Sequence, residues 1–234
     1  MRASLPALIA LAAAAAAAGC FHLGGSDPPL EKRAFDLQPL LPGTYPPEAD
    51  GAEVLWVEPF GEDSALDRPE MVWRRGAAEA GAWERFLWAR PPADAVRAFV
   101  ADALVRAGTC AVVAAEPRAI APDYSLRGHV ERFEEVDGTA SWAGELEVRV
   151  VLVRRSDGEE ILRRTYARSE RAPARNPGAV AEALKVGLGS VAGQVARDVK
   201  AVLEVERDKS AAGKPRAAAH TPVPPAPVSP APPK

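Results

Sequence analysis

The chain has little cysteine, little histidine and few aromatic side chains. Cys20 and Cys110 are its two cysteines, and there are three histidines in 234 residues. So few thiols and imidazoles cannot build a disulfide framework or a Cys/His zinc cluster. A surplus of positive charge is missing too. The formal net charge is −3, whereas a nucleic-acid-binding domain is usually basic. No hydrophobic run reaches the ~20 residues that a transmembrane helix needs. The longest spans residues 5–18. Apolar residues nevertheless make up 47% of the chain, an ordinary share that excludes wholesale disorder. Proline is abundant at 23 residues, with eight after residue 206 and four within 39–50.

The first twenty residues read MRASLPALIALAAAAAAAGC. One positive charge, an apolar run and a small-residue end are the grammar of a secretory signal. The run closes on Ala17-Ala18-Gly19-Cys20, which resembles the bacterial lipobox, although Ala17 stands where that pattern favours Leu. The reading predicts removal of residues 1–19 and acylation of Cys20. Each buried methylene contributes about 0.8 kcal/mol, so two or more acyl chains anchor stably where one does not. Phe21 follows the cysteine. By resemblance to lipoprotein sorting rules, that favours the outer membrane.

Residues 20–32 then form a lipidated cysteine and a short tether, in which Pro28-Pro29 forbids helix. Twelve extended residues reach at most about 40 Å. Residues 207–234 read as a disordered, proline-rich basic tail. Taking the leader's single positive charge and the tail's net +4 out of the total of −3 leaves −8 on residues 20–206.

The folded core is expected at 33–206. Strands are predicted at 34–37, 53–59, 71–74, 84–88 and 110–114. A helix is predicted at 93–107, with Pro91-Pro92 before it and Gly108 after it. Three longer strands follow at 124–136, 142–154 and 160–168, an antiparallel meander with one wet face. A last helix starts near Gly178 behind Asn176 and Pro177. Its apolar stripe is Val180, Leu184, Leu188, Val191, Val195, Val199 and Val202. Gly187, Gly189 and Gly193 interrupt it, which predicts close packing against the sheet. The expected fold is α+β in two layers, a mostly antiparallel sheet packed by two main helices.

Catalytic chemistry needs a constellation of groups, and none is legible. His22 lies in the tether and His220 in the tail, while His129 stands alone in a strand with Arg127 and Glu131 on its face. The serines lack a nucleophile-elbow context, and no glycine-rich loop precedes a helix. Glu131, Glu134, Glu135 and Asp137 crowd one strand end without calcium-loop spacing. They read as a solvated hairpin end. Cys110 sits in an apolar run and reads as a buried, inert thiol. No enzyme activity, metal or cofactor is expected.

One segment is more specific. Leu66-Asp67-Arg68-Pro69-Glu70-Met71-Val72-Trp73-Arg74, then Phe86-Leu87-Trp88-Ala89-Arg90-Pro91-Pro92, resembles a signature of the auxiliary lipoproteins of ABC-type transport. Ala34-Phe35-Asp36-Leu37 looks like that family's opening strand. Tyr124-Ser125-Leu126-Arg127-Gly128-His129-Val130 with Phe133-Glu134 looks like its later one. The resemblance covers about 33–200. It is to the outer-membrane partners of paraquat-inducible-type mammalian-cell-entry (MCE) lipid transport systems. It implies a non-catalytic lipoprotein on the periplasmic face of the outer membrane that docks an MCE-domain tunnel. MCE assemblies are rings, so the resemblance leaves room for a homo-oligomer.

Arg68, Met71 and Trp73 are the candidate partner contacts, since Trp, Arg and Met are enriched at interface cores. The competing reading of Trp73, Trp83 and Trp88 is as core aromatics. Two other functions stay open: a periplasmic lipoprotein regulating cell-wall synthesis or outer-membrane assembly, and a soluble lipid carrier with a cavity between helix and sheet.

Overall fold

A computed structural model of the chain describes residues 31–39, 53–110, 112–114, 121–139 and 141–213. The expectations for the leader, for Cys20, for the tether up to residue 30 and for the tail beyond Gly213 lie outside the described residues.

Among the described residues, nine strands and two helices follow in order. They are β1 (Arg33–Phe35), β2 (Val54–Val57), β3 (Gly61–Glu62), β4 (Glu70–Arg75), β5 (Glu79–Trp88), α1 (Pro92–Arg106), β6 (Val112–Ala114), β7 (Tyr124–Asp137), β8 (Trp142–Arg154), β9 (Glu160–Arg171) and α2 (Pro177–Gly213). All nine strands belong to one mixed, mostly antiparallel sheet. The two-layer α+β expectation is therefore met.

The spine is β7. Along one edge it pairs β8 antiparallel through its whole length, and β8 pairs β9 in the same sense. Along the other edge β2, β3 and β4 dock one after another, all parallel to it. Those parallel joins were not legible in the sequence, because they depend on loops that return the chain to the same strand. The meander alternates as expected. Leu146, Val148, Val150 and Leu152 are fully buried. Glu145, Glu147 and Arg149 form surface ion pairs with Arg132 and Glu131.

Both helices are capped by oxygen acceptors. Asn176 Oδ1 accepts the Ala179 N–H at 2.9 Å, an N-cap bond. At α1 the cap comes from elsewhere in the fold: Glu62 Oε2 accepts the Ala93 N–H at 2.9 Å. The negative carboxylate also suits the positive end of the helix dipole. Arg97 on α1 reaches back to the Val57 carbonyl, and Lys200 on α2 reaches the Ala107 carbonyl at 3.0 Å.

The α2 stripe is buried as expected at Val180, Leu184, Leu188, Val191, Val195 and Val199. At the far end Leu203 is fully buried, while Val202 is only partly so. Two expectations for this helix are corrected. The helix runs to Gly213, past residue 206, where the folded core was expected to end. Arg207, read as the first tail residue, donates to Glu53 and to the Thr109 carbonyl at 2.7 Å each. Nor do the helical glycines make a tight approach to the sheet: a Cβ on Gly187 would lie 3.7 Å from Arg168 Cγ and Glu170 Cγ of β9, an ordinary contact. A Cβ on Gly189 would meet nothing within 4 Å. The tight glycine is on the strand: a Cβ on Gly144 would lie 2.7 Å from Leu184 Cγ.

Candidate functional site

The two halves of the sequence signature meet at one end of the sheet. β4 carries Met71, Val72 and Trp73, and β5 returns antiparallel beside it. The Trp88 N–H donates to the Pro69 carbonyl at 2.7 Å, which stitches the Asp67-Arg68-Pro69 turn to the second half. Trp73 is half-buried and lies over Gly81, where a Cβ would come within 2.5 Å of its ring. Only glycine admits the indole there. The Arg75 guanidinium sits 5.7 Å from the Trp73 ring centroid, within cation–π range.

Arg68 is exposed on its turn. Met71 is fully buried, and this corrects its place among the surface candidates. The pairing of β4 with β5 is irregular between Glu70 and Val72, so simple alternation does not put Met71 outside. The partner-facing candidates that remain at the surface are Arg68 and Trp73.

Around them the aromatic side chains form a connected wall. Phe35 stacks on Phe86, Trp83 meets Phe86 edge-on, and Trp83 lies 6.0 Å from Trp142. Trp88 packs edge-on against Phe133 at 5.1 Å. Trp88 is buried, whereas Phe35, Trp83, Phe86 and Trp142 are partly exposed. Both readings of the aromatics therefore apply, residue by residue.

The acidic cluster is not a solvated hairpin end, which corrects the sequence expectation. Glu134 is 3% exposed and holds Arg74 through two hydrogen bonds of 2.8 and 3.2 Å. Asp137 accepts from Arg75 and Arg175 at 2.9 Å each. Glu135 is 1% exposed and accepts a hydrogen bond from Trp83 Nε1 at 3.0 Å. Burial pushes its carboxyl up to about 7, a rise that the Trp83 bond only partly offsets.

The cause is a register shift. Strict alternation from Leu126 and Val130 would turn Arg132 and Glu134 inward. A bulge between Val130 and Arg132 moves the inward set to Phe133 and Glu135, opposite Leu146 and Gly144. Phe133, an aromatic out of phase with Val130, was the available signal.

His129 and Cys110 are each accounted for locally, whereas Trp56 Nε1 and Ser125 Oγ are buried without a hydrogen-bond partner among the described residues. His129 Nε2 lies 2.7 Å from Asp63 Oδ1. Cys110 is buried, and burial, with Glu53 nearby, pushes its thiol up to about 12. It is the inert thiol expected. Among the described residues no group of three or more His, Cys, Asp or Glu side chains could hold a metal ion. No helix among them is long and apolar enough to cross a membrane.

A second feature lies between the two helices, not between helix and sheet where the lipid-carrier alternative put its cavity. Between α1 and α2 runs an open groove of about 670 Å³, lined by Phe99, Ala103, Val186, Gly189, Gly193 and Ala196 among others. Val186 is 60% exposed at its rim. Gly189 and Gly193 thus border space between the helices, while Gly187 faces β9.

The family model for the ABC-type transport auxiliary lipoprotein component matches residues 35–196, about two thirds of the chain and most of its folded part. The chain belongs to that family. It is a lipoprotein of the cell envelope and an auxiliary component of a transport system. Among solved structures, this auxiliary lipoprotein is similar to a protein of Xanthomonas campestris. That likeness has 24% identity and a TM-score of 0.62, covering 76% of this chain and 99% of the other. A second structure, described as an uncharacterized protein, has 18% identity and a TM-score of 0.59, covering 72% and 99%. Both likenesses speak for the fold. No curated protein matches the chain.

Proposed function

We propose that the auxiliary lipoprotein is held on the periplasmic face of the outer membrane by acylated Cys20. There it serves, without chemistry of its own, as the docking component of an MCE-type lipid transport system. The observation that carries this reading is the convergence of both signature halves on one sheet end. That end presents Arg68 on a stiff turn and Trp73 at half exposure. Tryptophan and arginine there are the side chains that dominate interface energies.

The test has two arms. Metabolic labelling with palmitate should mark the wild-type chain and not Cys20→Ala. Crosslinking in cells, followed by pull-down of the MCE partner, should weaken with Arg68→Ala and with Trp73→Ala. Unchanged capture by both folded variants sinks the docking surface, and absent labelling sinks the anchor.

The groove between the helices favours one further reading, a lipid carrier, because its lining is mostly apolar, with Asp102, Arg106, Glu182, Lys185 and Arg197 also bordering it, and its volume is in the range of small-molecule pockets. Lipid that copurifies with the protein and is lost in Gly189→Leu would support it.

A further inference from the structure

The pairing of β4 with β5 contains a large irregularity. Glu70 faces Leu87, but Val72 already faces Ala82. The chain takes five steps on β5 where β4 takes two, so three extra residues bulge out. Bulges recur beside functional sites because they re-aim side chains. Here Glu84 and Arg85 line a polar recess of about 660 Å³ together with Lys32, Arg68, Glu70 and Ala82.

Three cations and two anions therefore line one recess, yet among the described residues none of the five pairs with another within 4 Å. Neighbouring arginines behave otherwise. Arg74 pairs with Glu134, Arg75 with Asp137 and Arg90 with Asp36. Arg85 makes a cation–π contact with Phe86, 5.9 Å from the ring centroid, and no ion pair.

We infer that this recess binds a zwitterionic headgroup carrying both a phosphate and a primary ammonium, of the phosphoethanolamine kind. Lys32, Arg68 and Arg85 supply donors for the phosphate, and Glu70 and Glu84 accept from the ammonium. Charge-assisted bonds of both kinds are the strong class. A simple anion would leave the two carboxylates facing it, and a simple cation would face three positive charges. The recess also adjoins the tether, since Lys32 stands immediately before β1. It rests on the anchored reading only for the source of the headgroup: twelve tether residues keep the recess within about 40 Å of the bilayer.

The experiment uses the full chain in detergent, titrated with glycerophosphoethanolamine and followed by ligand-observed NMR. Saturable binding is expected. Arg68→Ala and Glu84→Gln should each weaken it about fivefold, the scale of one exposed charge-assisted contact. Both side chains are exposed, so neither variant should shift thermal unfolding. Inorganic phosphate binding equally well, or binding that neither variant weakens, overturns the assignment.

The source is settled in nanodiscs. Phosphatidylethanolamine discs should abolish binding of the soluble probe by filling the recess, and phosphatidylglycerol discs should leave it. Equal binding in both discs overturns the lipid source in favour of a free zwitterion. The detergent titration does not involve Cys20, so failure here is separable from failure of palmitate labelling.

Discussion

Replacing Glu135 by Gln should remove a pH dependence built into the core. The wild-type carboxyl is raised from an ordinary 4.5 to about 7, first by burial, with the Trp83 bond opposing. Asp137 pushes the same way as burial, and Arg75 pushes against it. Between those two values the native state binds a proton that the unfolded chain has released. Native stability therefore falls as pH rises from about 4.5 towards 7, and this loss is complete above 7. At 1.36 kcal/mol per unit the full loss is about 3 kcal/mol. Glutamine keeps the size and an acceptor oxygen for Trp83 Nε1, and it never ionises.

The assay is urea unfolding followed by tryptophan fluorescence at pH 5, 6, 7 and 8. The difference between variant and wild type should grow through that range in favour of Glu135→Gln and then level off. Taking the difference cancels other titrating groups, such as the raised carboxyl of Glu62. Parallel pH profiles for the two proteins would refute the argument, as would a wild type that gains on the variant with rising pH.

The remaining predictions concern packing and reactivity. Gly144→Ala and Gly189→Ala should differ in sign. The first drives a methyl into Leu184 and should cost about 1–3 kcal/mol in chemical unfolding. The second meets open space and should gain about 1 kcal/mol from helix propensity. Asn176→Ala removes the bond to the Ala179 N–H and should cost about 1 kcal/mol, read as a lowered Tm. Cys110, buried with its thiol pushed up to about 12, should stay unmodified by a thiol reagent at pH 8 until the protein unfolds. Rapid labelling of the native Cys110 would show the site to be open.

Much of this fold was legible because its long elements obey local periods. The 142–154 strand was placed to the residue, since Leu146, Val148 and Val150 alternate with Glu145, Glu147 and Arg149 and its pairing with β9 is regular from Ala143 to Leu152. Asn176 and Pro177 mark the start of α2 for an equally local reason: an oxygen acceptor precedes a residue with no N–H to satisfy.

What failed were the places where residues were added out of register, or where a distant partner decided the outcome. A bulge in β7 turned Glu135 into the core, and an irregularity in β4 and β5 left Met71 inside. The folded part extends past 206 because Arg207 is held by Glu53 and Thr109, far away in the chain.

By itself, then, the sequence determined the layers, the long strands, the helix stripe and the resemblance that the family match bears out. Those features follow from hydrophobic period and local capping, which act over a few residues. Only the tertiary structure decided which charges are buried, which glycine lets helix and sheet approach, and that Arg68, Glu84 and Arg85 share one recess. Each depends on the register between strands. A one-residue slip there turns a side chain to the opposite face.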